Sequence, residues 1–325
     1  MADSAFGAAA QGAAARLPAD LPMTLIAATE AAAIAGFAHV GRGDEPRAHE
    51  AAWAAMRREL ERLDIDGEIA LGDTLTDTDG QAVRNIGTRN GPAIDLGLDP
   101  LEGATLTAKA MGGALSVLVA APVGSLARTP ALYMDKIAIG PGFAPGTVDL
   151  GRSAADNVRA LAGAKGVSTD SLVVCVLDRP RNAGLIADLR TVGARVRMIS
   201  DGDIAGVIQT AEPEAGIDMY LGSGGAPEGV LSAAALKCLG GFFQGRLVVR
   251  NDDDARRIEA CGRRASDVHG MDDLVRGPVV FAATGVTTDA LLSGVERKGD
   301  RLVTSSLLMD SARDLVRRIR TERPV

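Results

Sequence analysis

The chain has 325 residues, of which 46% are hydrophobic and only 3% are aromatic. This composition excludes a disordered chain and predicts a core built mostly from alanine, valine, leucine and isoleucine. The formal net charge of −7 excludes nucleic acid as a main partner, because a phosphate backbone requires a basic surface.

Two features of the sequence indicate a reducing, cytoplasmic setting. The three cysteines, Cys175, Cys238 and Cys261, are far apart and lack the spacing of a zinc site or a disulfide framework. The first 20 residues are rich in alanine but lack the charged start and long apolar core of a signal peptide, so we expect a flexible tail over residues 1–20. No apolar run is long enough to span a bilayer, so we expect no membrane partner.

The first half of the chain predicts two helices and then a β-rich stretch. A helix over residues 25–40 ends at the sequence GRGD, and Pro46 opens a second helix that runs to about residue 63. In the second helix Trp53, Met56 and Leu60 recur at helical spacing. Strands are predicted over residues 67–73, 93–100, 115–122 and 132–140.

The second half alternates apolar strands with short helices. The predicted strands cover residues 171–178, 196–203 and 217–222, and the predicted helices cover residues 183–191, 204–210 and 227–239. Two late strands are expected at residues 278–285 and 302–308, followed by a closing amphipathic helix over residues 311–322. Alternation of this kind is typical of a layered α/β domain, in which ligands bind at the carboxyl ends of strands.

The change of pattern within residues 140–149 predicts a boundary between two lobes. We expect an N-terminal lobe over residues 21–149 and a C-terminal lobe over residues 150–325. The two lobes should pack closely, with a site between them.

Acidic side chains cluster at the end of the predicted strand over residues 93–100. Pro100 should end that strand and turn the chain, so that the carboxylates of Asp99 and Glu102 can converge on one point. Carboxylates so close together repel each other unless a cation lies among them, and Mg²⁺ and Mn²⁺ prefer oxygen ligands. An ordinary acidic turn is the alternative. Further acidic residues follow other predicted strands at Asp73, Asp201, Asp203 and Glu228.

Glu228 lies in a glycine-rich turn, LGSGGAPEG at residues 221–229, which opens a predicted helix. Such a turn can present backbone N–H groups to an anion. Pro227 stands where a dinucleotide-binding turn requires its third glycine, so the turn does not match that fingerprint.

Nine short motifs together resemble the class II fructose-1,6-bisphosphatases of bacteria, from about residue 24 to about residue 320. The motifs are GRGD (41–44), IDGEIALG (65–72), IDLGLDPLEG (94–103), LYMDK (132–136), RPR (179–181), DGD (201–203), GGAPEG (224–229), FAATGV (281–286) and RRI (317–319). The resemblance implies the αβαβα fold of lithium-sensitive sugar phosphatases. It also implies a cytoplasmic, homo-oligomeric enzyme that uses Mn²⁺ or Mg²⁺ to remove the 1-phosphate from fructose 1,6-bisphosphate in gluconeogenesis. Sedoheptulose 1,7-bisphosphate stays open as an alternative substrate.

The same resemblance assigns roles to residues by position. It implies metal-binding loops in the N-terminal lobe and sugar-phosphate contacts in the C-terminal lobe. Catalytic roles fall on Asp99 and Glu102, and metal binding falls on Asp73, Asp99, Glu102, Glu228 and His49. Sugar-phosphate contacts fall on Gly103, Tyr133, Arg179, Arg181, Asp201, Asp203 and Gly225. Arginine suits this task because its guanidinium binds phosphate through two parallel hydrogen bonds.

The chain departs from the family pattern at positions that carry chemistry. Ala104 stands where the motif D-P-x-E-G-T has a threonine that orients the attacking water, and a methyl group cannot form a hydrogen bond. Glu45 replaces a lysine after GRGD, and His49 replaces a metal-binding aspartate. Asp73 is the second residue of GDTL (72–75), where the family has G-E-G-E, so its side chain is one methylene shorter than glutamate and the second acid is missing.

Two functions from different classes therefore stay open. The first is a working metal-dependent sugar-bisphosphate phosphatase. The second is a catalytically impaired paralogue that binds sugar phosphate or pairs with an active subunit. Ala104, Glu45 and His49 favour the second function, whereas the intact DPLEG, RPR, DGD and GGAPEG segments are compatible with both.

Overall fold

A computed structural model gives the fold and describes residues 17, 18, 20–72 and 82–325. The predicted metal ligand Asp73 lies outside these residues, and so does nearly all of the predicted tail. Within the described residues, no helix combines the length and the apolar character needed to cross a bilayer.

The helices and strands are numbered separately in chain order. The helices are α1 (Leu21–Phe37), α2 (Glu45–Leu60), α3 (Ala104–Ala108), α4 (Ala154–Lys165), α5 (Ala183–Thr191), α6 (Asp203–Ile208), α7 (Ala226–Leu239), α8 (Asp252–Ala260) and α9 (Met271–Leu274). The first seven strands are β1 (Asp66–Leu71), β2 (Asn85–Ile86), β3 (Ala93–Glu102), β4 (Leu115–Pro122), β5 (Tyr133–Ile139), β6 (Val173–Leu177) and β7 (Arg195–Ile199). The remaining strands are β8 (Met219–Gly225), β9 (Phe242–Leu247), β10 (His269–Gly270), β11 (Val280–Gly285), β12 (Glu296–Lys298), β13 (Arg301–Asp310) and β14 (Leu315–Pro324).

The strands form two sheets. The first sheet has the order β12-β13-β11-β4-β3-β1-β2, with β14 paired to β13. The second sheet has the order β10-β9-β5-β8-β6-β7, in which β6 runs parallel to both β7 and β8. The remaining pairs of the second sheet are antiparallel.

Three hydrophobic cores hold the layers together. One packs α1 and α2 on the first sheet, the second embeds α6 and α7 between the two sheets, and the third packs α4 and α5 on the far face of the second sheet. The central helix α7 is buried along almost its whole length because its alanine-rich sequence is apolar on every side. The layers alternate as αβαβα, which confirms the predicted fold class.

The closing segment is a strand and not the predicted amphipathic helix. β14 pairs along its whole length with β13, from Leu315 opposite Asp310 to Pro324 opposite Arg301. The spacing of Leu315 and Ile319 also suits a helix. The free edge of β13, however, carries backbone N–H and C=O groups that a strand satisfies and a helix does not.

The prediction that Pro100 ends its strand is also wrong. β3 continues through Pro100 to Glu102, and its pairing with β4 shifts in register between Asp99 and Glu102. Proline has no backbone N–H to donate, and a bulge is one of the few places in a sheet where that loss is tolerated.

The two sheets do not divide the chain at the expected lobe boundary. Strands β1 to β4 and β11 to β14 form the first sheet, whereas β5 to β10 form the second. Since the last four strands return to the first sheet, the division into residues 21–149 and 150–325 stays a prediction about separable lobes.

Candidate functional site

Three carboxylates meet where the end of β3 faces the start of α7. β3 supplies Asp99 and Glu102, and the first turn of α7 supplies Glu228. One oxygen of each carboxylate lies within 4.8 Å of an oxygen of the other two. Strand positions three apart normally point to opposite faces, so the bulge in β3 is what lets Asp99 and Glu102 converge.

Glu102 is the most deeply buried member of this acidic cluster. Its side chain receives a hydrogen bond from the backbone N–H of Ile204 at 3.3 Å. Burial, and after it the neighbouring carboxylates of Asp99 and Asp203, raise the pKa of Glu102 well above its usual range. A divalent cation would reverse this effect by stabilising the ionised carboxylates, so the donor set fits a hard metal ion.

A buried ion pair holds Asp203, the first residue of α6. Its carboxylate lies 2.5 Å from the ammonium of Lys136, and both side chains are almost completely buried. The hydroxyl of Tyr220 donates to the same oxygen at 3.5 Å. Sequence reasoning missed Lys136 and Tyr220 as partners of the site, although Lys136 belongs to the recognised motif LYMDK.

The acidic cluster faces two arginines across a cavity of about 90 Å³. This cavity is lined by Glu102, Leu177, Arg179, Arg181, Asp201, Asp203, Gly225 and Glu228. Arg179 and Asp201 lie 3.7 Å apart. Burial raises the pKa of Asp201, and the Arg179 charge opposes this shift. The structure thus brings carboxylates and guanidinium groups from both halves of the chain to one place.

The ring of Tyr133 contacts two guanidinium groups, and one of them, that of Arg181, also lines this cavity. Arg181 stacks 4.2 Å from the centre of the ring, and Arg250 stacks 4.9 Å from it. Arg250 is itself held by Asp254 through contacts of 2.8 and 3.2 Å. An adjoining cavity of about 240 Å³ is lined by Tyr133, Glu228 and Arg250 among others. No sequence motif marked Arg250, which reaches Tyr133 only through the packing of β9 beside β5.

The turn before α7 requires glycine because two of its positions have no space for a side chain. A Cβ atom at Gly225 would lie 1.9 Å from a carboxylate oxygen of Glu228, and one at Gly224 would lie 2.1 Å from Asp203. These glycines therefore let two acidic side chains approach the backbone of β8. Gly103, with φ +87°, makes the equivalent sharp exit from β3 into α3.

Thr105 connects the altered first-lobe residue Glu45 to Asp201. The hydroxyl of Thr105 donates to the Glu45 carboxylate at 3.0 Å. The same hydroxyl hydrogen-bonds Asp201 and lowers the pKa of that carboxyl. Ala104 is the first residue of α3 and offers only a methyl group. Thr105, one residue later, has a hydroxyl and contacts Asp201, which is a predicted sugar-phosphate contact.

His49 lies partly buried on α2. In the part of the chain that the structure describes, the compact group of metal-type ligands consists of Asp99, Glu102 and Glu228 and does not include His49. Metal binding by His49 and by Asp73 stays a prediction from the resemblance.

The five-layered fold and the site define a class of layered α/β protein with carboxylates of the kind that hold a divalent cation and arginines of the kind that bind phosphate. The family described as bacterial fructose-1,6-bisphosphatase, glpX-encoded, matches residues 19–323, and the chain belongs to this family. The expected family membership is therefore confirmed.

Named relatives agree with this family. The chain is 40% identical over 309 residues to fructose-1,6-bisphosphatase 1 class 2 of Escherichia coli K12, covering 90% of this chain and 92% of the relative. The identity and coverage are the same for the fructose-1,6-bisphosphatase class 2 of Shigella flexneri.

Proposed function

We propose that this chain is a metal-dependent sugar-bisphosphate phosphatase that removes the 1-phosphate of fructose 1,6-bisphosphate in gluconeogenesis. The observation that carries the proposal is the convergence of the Asp99, Glu102 and Glu228 carboxylates opposite Arg179 and Arg181. The names of its 40%-identical relatives support the same substrate. Sedoheptulose 1,7-bisphosphate is a second substrate to be tested in the same assay.

Asp99, Glu102 and Glu228 would hold a divalent cation, Mn²⁺ or Mg²⁺. The fit rests on their mutual distance of at most 4.8 Å and on the burial that makes an uncompensated charge at Glu102 unfavourable. When bound, such a cation supplies Lewis-acid activation and charge neutralisation for phosphoryl transfer. His49 and Asp73 would add ligands from the first lobe.

The other residues of the cavity bind and orient the sugar phosphate. Arg179 and Arg181 suit the substrate phosphates because guanidinium groups bind them with two hydrogen bonds. Asp201 and Asp203 can accept hydrogen bonds from sugar hydroxyls, and the Lys136 ion pair fixes the orientation of Asp203. Tyr133 packs against the guanidinium of Arg181. Gly225 leaves the space that the Glu228 carboxylate occupies, and ligand contacts at Gly103 and Gly225 stay predictions from the resemblance.

One observation favours the second candidate, a catalytically impaired sugar-phosphate-binding paralogue. Ala104 offers no hydroxyl to orient a water molecule, and the single proton of Thr105 is shared between Glu45 and Asp201. A proton engaged in this way is not available to a water molecule, which leaves only the oxygen of this hydroxyl as an acceptor. The two candidate functions therefore predict different turnover but the same binding of sugar phosphate.

Phosphate release from fructose 1,6-bisphosphate, measured with Mn²⁺ and with Mg²⁺, tests the proposal. Release with either ion supports the phosphatase, and sedoheptulose 1,7-bisphosphate is compared in parallel. Absence of release together with calorimetric binding of fructose 6-phosphate would establish the binding paralogue instead. In that case the combined substitutions Ala104→Thr, Glu45→Lys and His49→Asp should restore turnover.

Thermal unfolding tests the metal site without any turnover. A ligand that binds only the folded protein raises its unfolding temperature. Mn²⁺ should therefore raise the unfolding temperature of the native chain and of Glu59→Gln, which changes an exposed residue of α2. It should not raise that of Glu102→Gln. An equal shift in all three proteins would exclude Glu102 as a ligand.

A further inference from the structure

A second cavity, of about 220 Å³, lies beside the candidate site. α7 packs on one face of the second sheet, and this cavity lies on the other face. We propose that this cavity binds a small phosphate or carboxylate anion distinct from the substrate, and that the bound anion withdraws Arg181 from the candidate site. Binding of the anion does not depend on the proposed function, whereas its effect on catalysis rests on that function.

The cavity collects positive charge in a chain whose net charge is −7. Three arginines from separate segments line it: Arg152 before α4, Arg181 in the short helical turn over residues 180–182, and Arg246 on β9. Asp135 offsets Arg246 at 3.2 Å. Among the described residues, neither Arg152 nor Arg181 has an ion-pair partner within 4.0 Å. Two uncompensated guanidinium groups facing one cavity favour an anion between them.

Hydrogen-bond donors remain available inside this cavity. Arg181 donates through Nε to the carbonyl of Ser223 at 2.9 Å, and Arg152 donates one N–H to the carbonyl of Thr147 at 3.2 Å. A guanidinium has five N–H groups, so each arginine keeps others free for a ligand. The hydroxyl of Ser223 lines the cavity with only 8% of the residue exposed, and within the described chain it forms no hydrogen bond. This hydroxyl faces the cavity and is not among the fully buried groups without a partner, so it is a donor that stays available to a polar ligand.

The size of the cavity and its apolar lining restrict the ligand. Leu150, Leu185 and Leu221 also line the cavity, so part of the ligand can be apolar. A volume of 220 Å³ corresponds to about seven water molecules at about 30 Å³ each, which suits an anion with only a few carbon atoms.

Arg181 connects the two cavities. It lines this cavity and also the cavity that contains Asp203 and Glu228. Its guanidinium stacks 4.2 Å from the ring of Tyr133, on the substrate side. An anion drawn to Arg152 would attract the same guanidinium and weaken its hold on a substrate phosphate. We therefore expect the anion to raise KM and to leave kcat unchanged.

Equilibrium dialysis of labelled inorganic phosphate against the full chain, with divalent metals chelated, tests the binding step. Arg152→Gln changes a residue that lines only this cavity, and Arg179→Gln changes one that lines only the candidate site. Arg159→Gln, on the exposed face of α4, is the matched control. We expect Arg152→Gln to weaken one phosphate site at least about tenfold, because it removes a charged hydrogen bond. That site should be unchanged in the other two variants and largely retained in Arg152→Lys.

Several results would overturn the proposal. If the native chain and Arg152→Gln bind phosphate equally well and have the same unfolding temperature, the proposed anion site does not exist. Coupling through Arg181 should let fructose 6-phosphate weaken the Arg152-dependent phosphate binding only to a limiting Kd. A phosphate Kd that rises without limit in proportion to fructose 6-phosphate would assign the cavity to the substrate itself. If turnover is absent but Arg152-dependent binding persists, the proposed function fails and the anion site stands. If the enzyme is active, added phosphate should raise KM less in Arg152→Gln than in Arg159→Gln. An equal rise in the two variants would exclude the connection through Arg181.

Discussion

Thr105 donates a hydrogen bond to Glu45 over 3.0 Å and so joins the start of α3 to the start of α2. Both residues stand at or beside positions where the chain departs from its family pattern. The same hydroxyl contacts Asp201, which lines the candidate site from the other half of the chain. The altered residues therefore form a connected group at the site.

Replacing Thr105 by valine should weaken sugar-phosphate binding. Valine keeps the shape of threonine but removes the hydroxyl, so the pKa of Asp201 rises and its carboxylate is less well oriented. The loss of one such hydrogen bond costs about 1 kcal/mol, or roughly fivefold in Kd. Calorimetric titration with fructose 6-phosphate measures the change. Thr105→Ser keeps the hydroxyl and should bind as the native chain does; equal weakening in both variants would contradict the prediction.

Breaking the buried pair between Lys136 and Asp203 should destabilise the fold strongly. Lys136→Met leaves a buried carboxylate without its partner, which costs about 3–5 kcal/mol. Urea denaturation measures the free energy of unfolding. Lys298→Met removes an exposed lysine paired with Glu296 and should leave that free energy unchanged. The double variant with Asp203→Asn should recover part of the loss, and no recovery would show that the cost arises from packing alone.

Gly225→Ala should disable the acidic cluster without unfolding the chain. The new Cβ atom would lie 1.9 Å from a Glu228 oxygen, so the carboxylate must leave its position in the cluster with Asp99 and Glu102. The rise in unfolding temperature on adding Mn²⁺ should disappear. Gly184→Ala is the matched control, because a Cβ there has no atom within 4 Å. Gly184 lies in the first turn of α5, so that substitution should stabilise the protein by at most about 0.5 kcal/mol.

Asp95 should make stability depend on pH independently of the metal site. It is fully buried on β3 and accepts a hydrogen bond from the N–H of Leu126 at 3.1 Å. Burial raises its pKa above the unfolded value of 3.8, despite this hydrogen bond. The folded state then holds the proton more tightly, so the stability from this group is present below pH 3.8 and is lost as pH rises through the folded pKa.

Asp95→Asn imitates the protonated form of Asp95 at every pH. This substitution should therefore remove the loss of stability that the native chain shows as pH rises. Its stability relative to the native chain should therefore increase between pH 3 and pH 7, as measured by denaturation at several pH values in the presence of a chelator. A difference between the two proteins that does not change with pH would contradict the prediction.

Local signals in the sequence were enough for most elements and for the family. Helical spacing of apolar residues predicted α2, and apolar composition or the alternation with strands predicted α1, α5, α6 and α7, all to within a few residues. The short motifs, taken together, predicted the family and the αβαβα fold. The motif DPLEG placed two carboxylates of the acidic cluster, and GGAPEG placed the third.

Other features depended on partners distant in sequence. β14 is a strand because the edge of β13 is free to pair with it, and no local pattern in residues 311–322 carries that information. The convergence of Asp99 and Glu102 depends on a bulge against β4. Arg250 reaches Tyr133 only because β9 lies beside β5.

The sequence by itself therefore determined which family the chain belongs to and which residue types carry its chemistry, since both are written in short contiguous motifs. Only the tertiary structure decided how those residues are coupled. Thr105 reaches Asp201 across the two halves of the chain, Lys136 is buried against Asp203, and Arg181 faces two cavities at once. These relationships arise from long-range strand pairing and packing, which bring together residues that no spacing along the chain relates.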